Sequence, residues 1–213
     1  MSLHDPRAPH ADRPLDHVDL GRGVGADVDR RLIGDVGGRR ILDLGCGQGH
    51  TATGLAMRGA RVIAVDDDVS QLAATRALAA REEVTIECHQ AKPAELAFLA
   101  ADHVDLALAV TTLSWVQDLN RVFRQVHRVV SANGHFVISV PHAAALCADP
   151  HDGARTIASW DQDEPIGDRH VHTTEALVTA LTRANFAVDT VLERHDGGPM
   201  PATLVVRARK LGV

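Results

Sequence analysis

Residues 41–50 read ILDLGCGQGH, a hydrophobic run that leads directly into a glycine-rich turn. Glycine lets a backbone turn sharply and approach a ligand closely, and a helix that follows such a turn offers unpaired N–H groups to an anionic or polar ligand. The spacing is G-x-G-x-G, and His50 stands where the dinucleotide-binding fingerprint G-x-G-x-x-G has its third glycine. The turn therefore predicts a polar-ligand site and disfavours NAD.

A second acidic element follows the next apolar run, where residues 61–65 lead into Asp66, Asp67 and Asp68. Asp66 is expected at the C-terminal end of a strand, about 20 residues beyond the glycines, where a carboxylate can accept both hydroxyls of an adenosine ribose. Its alternative role is to form the turn or to cap the next helix, but Asp68 is placed to do the capping. We therefore expect Asp66 to bind a ribose.

Apolar runs of strand character recur along the chain and alternate with stretches of helical spacing. The predicted strands are Arg39–Leu44, Arg61–Val65, Val84–Cys88, His103–Val110, His135–Val140, Phe186–Arg194 and Thr203–Arg209. The alternation predicts right-handed βαβ units and a doubly wound, mostly parallel α/β sheet. The short link at residues 197–199 predicts that the last two strands are antiparallel.

Helix signals lie between these runs. A short helix is expected over Val24–Val36, and a longer one begins at Asp68, where Gln71 completes a capping box. Two more helices are expected over Gln117–Val130 and from Thr173 or Thr174 to about Ala184.

Composition narrows the classes of function. The 213 residues are 45% hydrophobic and 23% charged, as in an ordinary globular protein, and the formal net charge of −6 without any basic run disfavours nucleic acid. No apolar stretch is long enough for a membrane span or forms a signal peptide. The 3 cysteines lack C-x-x-C spacing and fit a reducing compartment. We expect a cytoplasmic protein with a small-molecule partner, and the oligomeric state stays open.

The glycine turn and Asp66 together resemble the cofactor site of class I methyltransferases dependent on S-adenosylmethionine (SAM). The chain is most similar to the bacterial type 11 group, which includes ubiquinone- and menaquinone-pathway enzymes. The resemblance covers about residues 30–209 and rests on E/D-x-G-x-G-x-G at residues 43–49, on Asp66, and on matches at residues 104–106, 113–116, 131–134 and 139–142. It implies SAM as cofactor and a Rossmann-like sheet of seven strands, with the last strand beside the fifth.

The resemblance also assigns residues to the cofactor, with the first acid and the glycines at its methionine part and Asp67 by the adenine. Lys92 stands where the family usually has an Asp that bonds the adenine amino group, and a lysine has no acceptor for that group. Adenine recognition there must come from backbone groups or from a shifted alignment. The implied cofactor residues are Asp43, Gly45, Cys46, Gly47, Gly49, Asp66, Asp67, Lys92, Ala94, Val110 and Thr111.

The domain organisation follows from periodicity. Residues 1–23 are expected to form a flexible N-terminal arm, and residues 24–213 a single methyltransferase domain. Within that domain residues 141–172 are rich in Pro, His and Asp and have little periodicity. A loop of this length in a compact domain is usually functional or disordered, and we expect it to cover the substrate.

Methyl transfer from a sulfonium is an in-line displacement, so the protein mainly positions the acceptor and excludes water. A hydroxyl or phenol acceptor would benefit from a general base, for which His142 is the catalytic candidate. Trp115, His142 and Trp160 are the predicted substrate contacts. The alternatives are a solvent-exposed loop histidine for His142 and a core anchor of the next helix for Trp115.

A metal site is not predicted, because His170 and His172 fit a solvated His-rich loop better than a ligand set. Two functions remain. The first is a SAM-dependent methyltransferase for a small acceptor. The second is a SAM-binding regulatory or scaffold protein, which Lys92 and the lack of a firm catalytic residue leave open. A nucleotide-dependent oxidoreductase is more distant.

Overall fold

The computed structural model describes residues 15–149, 152–153, 155–159 and 164–212. The strands are β1 (Arg40–Leu44), β2 (Arg61–Asp66), β3 (Ile86–Gln90), β4 (Val104–Val110), β5 (Val130–Pro141), β6 (Phe186–Arg194) and β7 (Thr203–Lys210). They form one sheet in the order β3-β2-β1-β4-β5-β7-β6, in which β7 is antiparallel to both β5 and β6 and the other pairs are parallel. The predicted seven-stranded fold, with its last strand beside the fifth, is confirmed.

Helices cover both faces of the sheet. They are α1 (Ala26–Leu32), α2 (His50–Met57), α3 (Val69–Arg81), α4 (Leu119–Val129), α5 (Ala143–Cys147) and α6 (Thr174–Arg183), with a short 3-10 helix over Thr112–Trp115. Successive strand residues point to opposite faces, so Ile41 packs in the cluster with α1, α2 and α3 while Leu42 packs in the cluster with α4 and α6. Strand β1 lies between β2 and β4, and their C-terminal ends meet where ligands bind in open α/β sheets.

The start of β5 and the capping of α3 differ from the predictions. Strand β5 begins at Val130 and not at His135, because Val130 already pairs with Val104 before a shift in register. Asp68 caps α3 as expected, by accepting from the Ser70 N–H. The capping box is wrong in its second half: the Asp68 N–H donates to Asp66 Oδ1, and Gln71 Oε1 is buried without a hydrogen-bond partner.

The described part of the predicted N-terminal arm is packed against the sheet. Val18 and Leu20 are buried in the core. The Ser139 hydroxyl donates to the Leu20 carbonyl, and Thr203 Oγ1 donates to the Arg22 carbonyl at 2.8 Å. Two buried side chains and two hydrogen bonds to β5 and β7 hold residues 15–23 in place, so a flexible arm as far as residue 23 is wrong for this part.

The segment after β5 returns to the C-terminal edge of the sheet. The His170 N–H donates to the Ser114 carbonyl at 2.7 Å, and His172 Nε2 lies 2.9 Å from the carbonyl oxygens of Leu113 and Val116. His170 and His172 therefore lie against the 3-10 helix that follows β4. Trp160 is outside the described residues.

None of the described helices is long and apolar enough to cross a membrane.

Candidate functional site

The turn between β1 and α2 needs glycine for steric reasons. Gly45, Gly47 and Gly49 have φ angles of 73°, 54° and 84°, a region that disfavours other residues. A Cβ atom on Gly45 would overlap the Thr112 side chain, and one on Gly49 would lie 2.7 Å from the Thr75 side chain. The turn is therefore held close to its neighbours in one conformation, with backbone exposed to a ligand.

Asp43 is a buried acid with an unsatisfied oxygen beside this turn. It is 1% exposed, and its Oδ2 has no hydrogen-bond partner. Burial, followed by repulsion from Asp66, raises the pKa of Asp43 to about 7, against a smaller lowering by a hydrogen bond from the Ala52 backbone. A buried, unpaired carboxylate oxygen fits a positively charged donor such as an ammonium group.

Asp66 has structural contacts of its own in addition to the predicted ribose contact. Its Oδ2 accepts from the Gly47 N–H at 2.9 Å, and its Oδ1 accepts from the Asp68 N–H at 3.0 Å. A carboxylate has about four lone-pair sites, so both oxygens can still accept ribose hydroxyls. The turn-forming and ribose-binding roles are therefore compatible.

A pocket opens between the glycine turn and the segment that follows β4. Its lining residues are Gly45, Gly47, Asp66, Asp67, Pro93, Thr112, Trp115 and Val116. Five of these come from the predicted cofactor and substrate residues, whereas Pro93, Thr112 and Val116 were missed. Their positions directly beside Lys92, Thr111 and Trp115 are the signal that could have found them.

The other predicted cofactor residues lie outside this lining. Lys92 is exposed, Ala94 packs against the core, and Val110 is buried. Thr111, with a strained φ of 65°, lines a separate small cavity with Ser139 and Thr203. The pocket wall expected from Lys92 and Ala94 is instead formed by Pro93 between them.

Cys46 contributes its backbone to the turn. Its N–H donates to the Val65 carbonyl at 3.0 Å, and its buried thiol lies 3.6 Å from Thr75 Oγ1. Burial raises the pKa of this thiol, so it stays protonated and is a poor nucleophile.

His142 is engaged through both ring nitrogens. Nδ1 accepts from the Ala144 N–H at 3.1 Å and so caps α5, while Nε2 lies 3.2 Å from Glu193 Oε1. Because Nδ1 is an acceptor, Nε2 carries the proton and donates it to Glu193. In this arrangement no lone pair of His142 is available to a substrate, and its catalytic role stays a prediction.

The described residues contain no metal-ligand group, and a further groove lies away from the site. Among the described residues no group of three or more His, Cys, Asp or Glu side chains could hold a metal ion. A second groove contains Arg40, Arg61 and His103, at the starts of β1, β2 and β4 and thus at the opposite edge of the sheet.

Several known proteins are similar to this chain in sequence. A methyltransferase domain family matches residues 42–138. The ubiquinone biosynthesis O-methyltransferase of Alkalilimnicola ehrlichii is 34% identical over 113 residues, which are 53% of this chain and 46% of that protein. The protein of the same name from Pseudomonas syringae is 30% identical over 53% of this chain and 47% of its own length. The chain thus spans about half the length of the curated relatives that it matches.

A solved structure matches more of the chain. An S-adenosylmethionine dependent methyltransferase from Mesorhizobium loti has a TM-score of 0.68 and 29% identity, covering 85% of this chain and 95% of that one. The residues of the turn fit the cofactor that this name states, because Asp43 offers an unpaired buried oxygen and Asp66 a carboxylate at the strand end. In its sheet order, its glycine turn and these matches the chain is similar to SAM-dependent methyltransferases.

Proposed function

We propose that this protein transfers a methyl group from SAM to a small-molecule acceptor in the cytoplasm. The observation that carries the proposal is the buried Oδ2 of Asp43, which has no partner beside a turn that must be glycine. The three cysteine thiols, all unpaired, support a reducing compartment.

The residues of the turn would hold the cofactor. Asp43 would accept from the amino group of its methionine part, and Asp66 would accept from its ribose hydroxyls while keeping Gly47 in place. Pro93 and Asp67 would lie beside the adenine, since both line the same pocket. When bound, SAM supplies a methyl group that is already activated on sulfur.

The acceptor would lie on the β4 side of the pocket. In-line displacement requires the acceptor to be positioned and water to be excluded, and both tasks suit a segment that packs over the pocket mouth. Residues 168–172 contact Trp115 and the 3-10 helix that contains it, which supports residues 141–172 as the substrate cover. Trp115, His142 and Trp160 stay the predicted acceptor contacts, and His142 would need to release Glu193 before it could act as a base.

A small acceptor is supported by the relatives' names, which place two of them in ubiquinone biosynthesis as O-methyltransferases. A formal net charge of −6 disfavours nucleic acid as the alternative acceptor.

The test is to incubate the protein with methyl-labelled SAM and a metabolite extract, and to identify any labelled product by mass spectrometry. We expect label in one or a few small molecules and none with Asp66→Ala. Label transfer would exclude the SAM-binding regulatory or scaffold protein. SAM binding without label transfer to any extract component would favour that alternative.

A further inference from the structure

Arg169 is a buried cation with an unsatisfied donor. Its side chain is 9% exposed, and Nη1 has no hydrogen-bond partner. Removing a guanidinium from water is costly unless an anion or a set of acceptors compensates it. The structure therefore places a strong hydrogen-bond donor where the described residues supply no acceptor for it.

Among the described residues, Asp168 forms an ion pair with Arg169 that compensates only one side of the guanidinium. Asp168 Oδ1 lies 4.0 Å from Arg169 Nε, which is too long for a hydrogen bond, and the Asp168 side chain is 73% exposed. Its other oxygen accepts from the indole N–H of Trp115 at 3.0 Å. Asp168 therefore connects Arg169 to Trp115 but leaves Nη1 unpaired.

Two other described groups near Arg169, Trp115 and His172, are neutral. The Arg169 guanidinium lies 5.1 Å from the centre of the Trp115 ring, a cation–π contact. Burial lowers the pKa of His172, so that this histidine is neutral and directs Nε2 to backbone carbonyls. Neither group offers the anionic oxygen that a buried guanidinium prefers.

The unsatisfied donor lies next to the pocket. Trp115 lines the pocket together with Gly45 and Asp66. Ser114, directly before Trp115, has a buried hydroxyl that also lacks a partner, and its carbonyl accepts from the N–H of the residue after Arg169. Two unsatisfied polar groups therefore accompany the tryptophan at the end of the pocket that we assign to the acceptor.

We propose that Arg169 binds a carboxylate of the methyl acceptor and so makes the protein selective for small aromatic acids. Arg pairs with carboxylates through parallel N–H···O bonds, and the Trp115 ring offers an aromatic surface beside it. This inference rests on the proposed function, for which it names the acceptor class. SAM also carries a carboxylate, so the experiment must separate the two sources.

The probes are 3,4-dihydroxybenzoate and its neutral isostere 3,4-dihydroxybenzamide. Their binding is measured by calorimetry on protein saturated with S-adenosylhomocysteine, for wild type, Arg169→Gln, Arg169→Lys and the control Arg124→Gln, which alters an exposed arginine of α4. Wild type should bind the acid at least about tenfold tighter than the amide, as expected for a charge-assisted pair. Arg169→Gln should abolish this preference, Arg169→Lys should keep part of it, and Arg124→Gln should keep all of it.

Thermal unfolding of each variant and its affinity for SAM are measured in parallel. Equal binding of acid and amide, or no binding of the acid to wild type, overturns the proposal. If Arg169→Gln weakens SAM and leaves the acid preference intact, Arg169 serves the carboxylate of the cofactor and the proposal is also wrong. If Arg169→Gln unfolds, the Arg169→Lys comparison decides between these outcomes.

The experiments distinguish a failure of the acceptor class from a failure of methyl transfer. Label transfer to neutral metabolites at wild-type rates in Arg169→Gln would overturn the acceptor class while methyl transfer stands. An acid preference that depends on Arg169, in a protein that transfers no label, would support the anion site and count against the enzyme.

Discussion

The two ends of the sheet differ in whether their buried polar groups have hydrogen-bond partners. Around β5, β7 and β6 these groups are paired. Lys210 Nζ donates to Asp102 Oδ1 at 2.7 Å and to the Val130 carbonyl at 2.9 Å, and His142 is bonded at both ring nitrogens. Such pairing stabilises the fold and leaves little capacity for a ligand.

Around β1, α2, α3 and the segment on β4, several buried polar groups lack a partner. The unsatisfied atoms among the described residues are Asp43 Oδ2, Thr53 Oγ1, Gln71 Oε1, Ser114 Oγ and Arg169 Nη1. Each carries a cost that folding alone does not repay. The contrast indicates that one end of the sheet is shaped by binding and the other by stability, and substitutions can test this division.

The largest effect is expected from Gly45→Ala, compared with Gly38→Ala at the same φ of 73°. Both variants place alanine in the left-handed region, which costs stability. Only the alanine at position 45 would bring its Cβ into the Thr112 side chain. We expect about 4 kcal/mol lower unfolding free energy for Gly45→Ala and about 1 kcal/mol for Gly38→Ala in denaturant titrations. Equal losses would show that Thr112 moves aside freely, and that the turn is not sterically fixed.

Asp66→Ala should lower SAM affinity by about 2–4 kcal/mol, because two charge-assisted ribose bonds are lost. The control is Asp189→Ala in β6, which removes a 2.8 Å contact with Arg207 at the other end of the sheet. That variant should lose some stability and keep its SAM affinity in calorimetry. Unchanged SAM affinity in Asp66→Ala would contradict the ribose assignment. NADH should bind wild type no more tightly than it binds Asp66→Ala.

The pH dependence of SAM binding should report on Asp43. Its folded pKa of about 7 lies above the ordinary value of 3.8, so its stability contribution is complete below about pH 4 and is lost as pH rises through 7. A cofactor ammonium favours the ionised acid. SAM affinity should therefore rise about tenfold, or about 1.4 kcal/mol, between pH 6 and pH 8, with proton release.

Asp43→Asn is the reference for this experiment, because asparagine has the same shape as aspartate but does not titrate. Any titration of SAM itself affects both proteins equally. The difference between wild type and Asp43→Asn isolates the carboxyl group. A pH slope that is the same in both proteins would mean that Asp43 does not meet the cofactor's amino group.

The smallest effect is expected at His142. His142→Ala should cost about 1 kcal/mol of unfolding free energy through loss of the α5 cap, whereas His142→Asn should cost less because Asn also caps. If the residue only caps, label transfer by His142→Asn equals that of wild type. A loss of turnover in both variants at unchanged SAM affinity would restore its catalytic role and place function at the paired end of the sheet.

The alternation of strands and helices was predictable because most parallel strands are buried apolar runs and the helices between them have a repeating apolar face, whereas β3 is only partly buried. The place of the last strand beside the fifth came from the family resemblance. The glycine turn and Asp66 were predictable because their chemistry is local to a few residues. Local signals also misled: Asp68 and Gln71 have capping-box spacing, but Asp66 takes the Asp68 N–H first.

What sequence reasoning missed depends on contacts between distant segments. Leu20 and Ser139 are 119 positions apart, and no pattern in the polar N-terminal stretch predicts their hydrogen bond. Arg169 lies in an aperiodic segment and becomes a candidate only when Trp115 is seen beside it. A single sequence does not distinguish a charged side chain that is buried in the fold from one that is exposed to solvent.

The position of Trp115 has a practical optical consequence. The chain has no tyrosine and 2 tryptophans, so Trp160→Phe would leave a single near-ultraviolet fluorophore at the wall of the pocket. Its indole N–H is bonded to Asp168 and its ring faces Arg169, so its emission should change when either contact is altered. Stopped-flow mixing of that variant with SAM, and then with a candidate acceptor, would resolve the order and rates of binding without an attached dye.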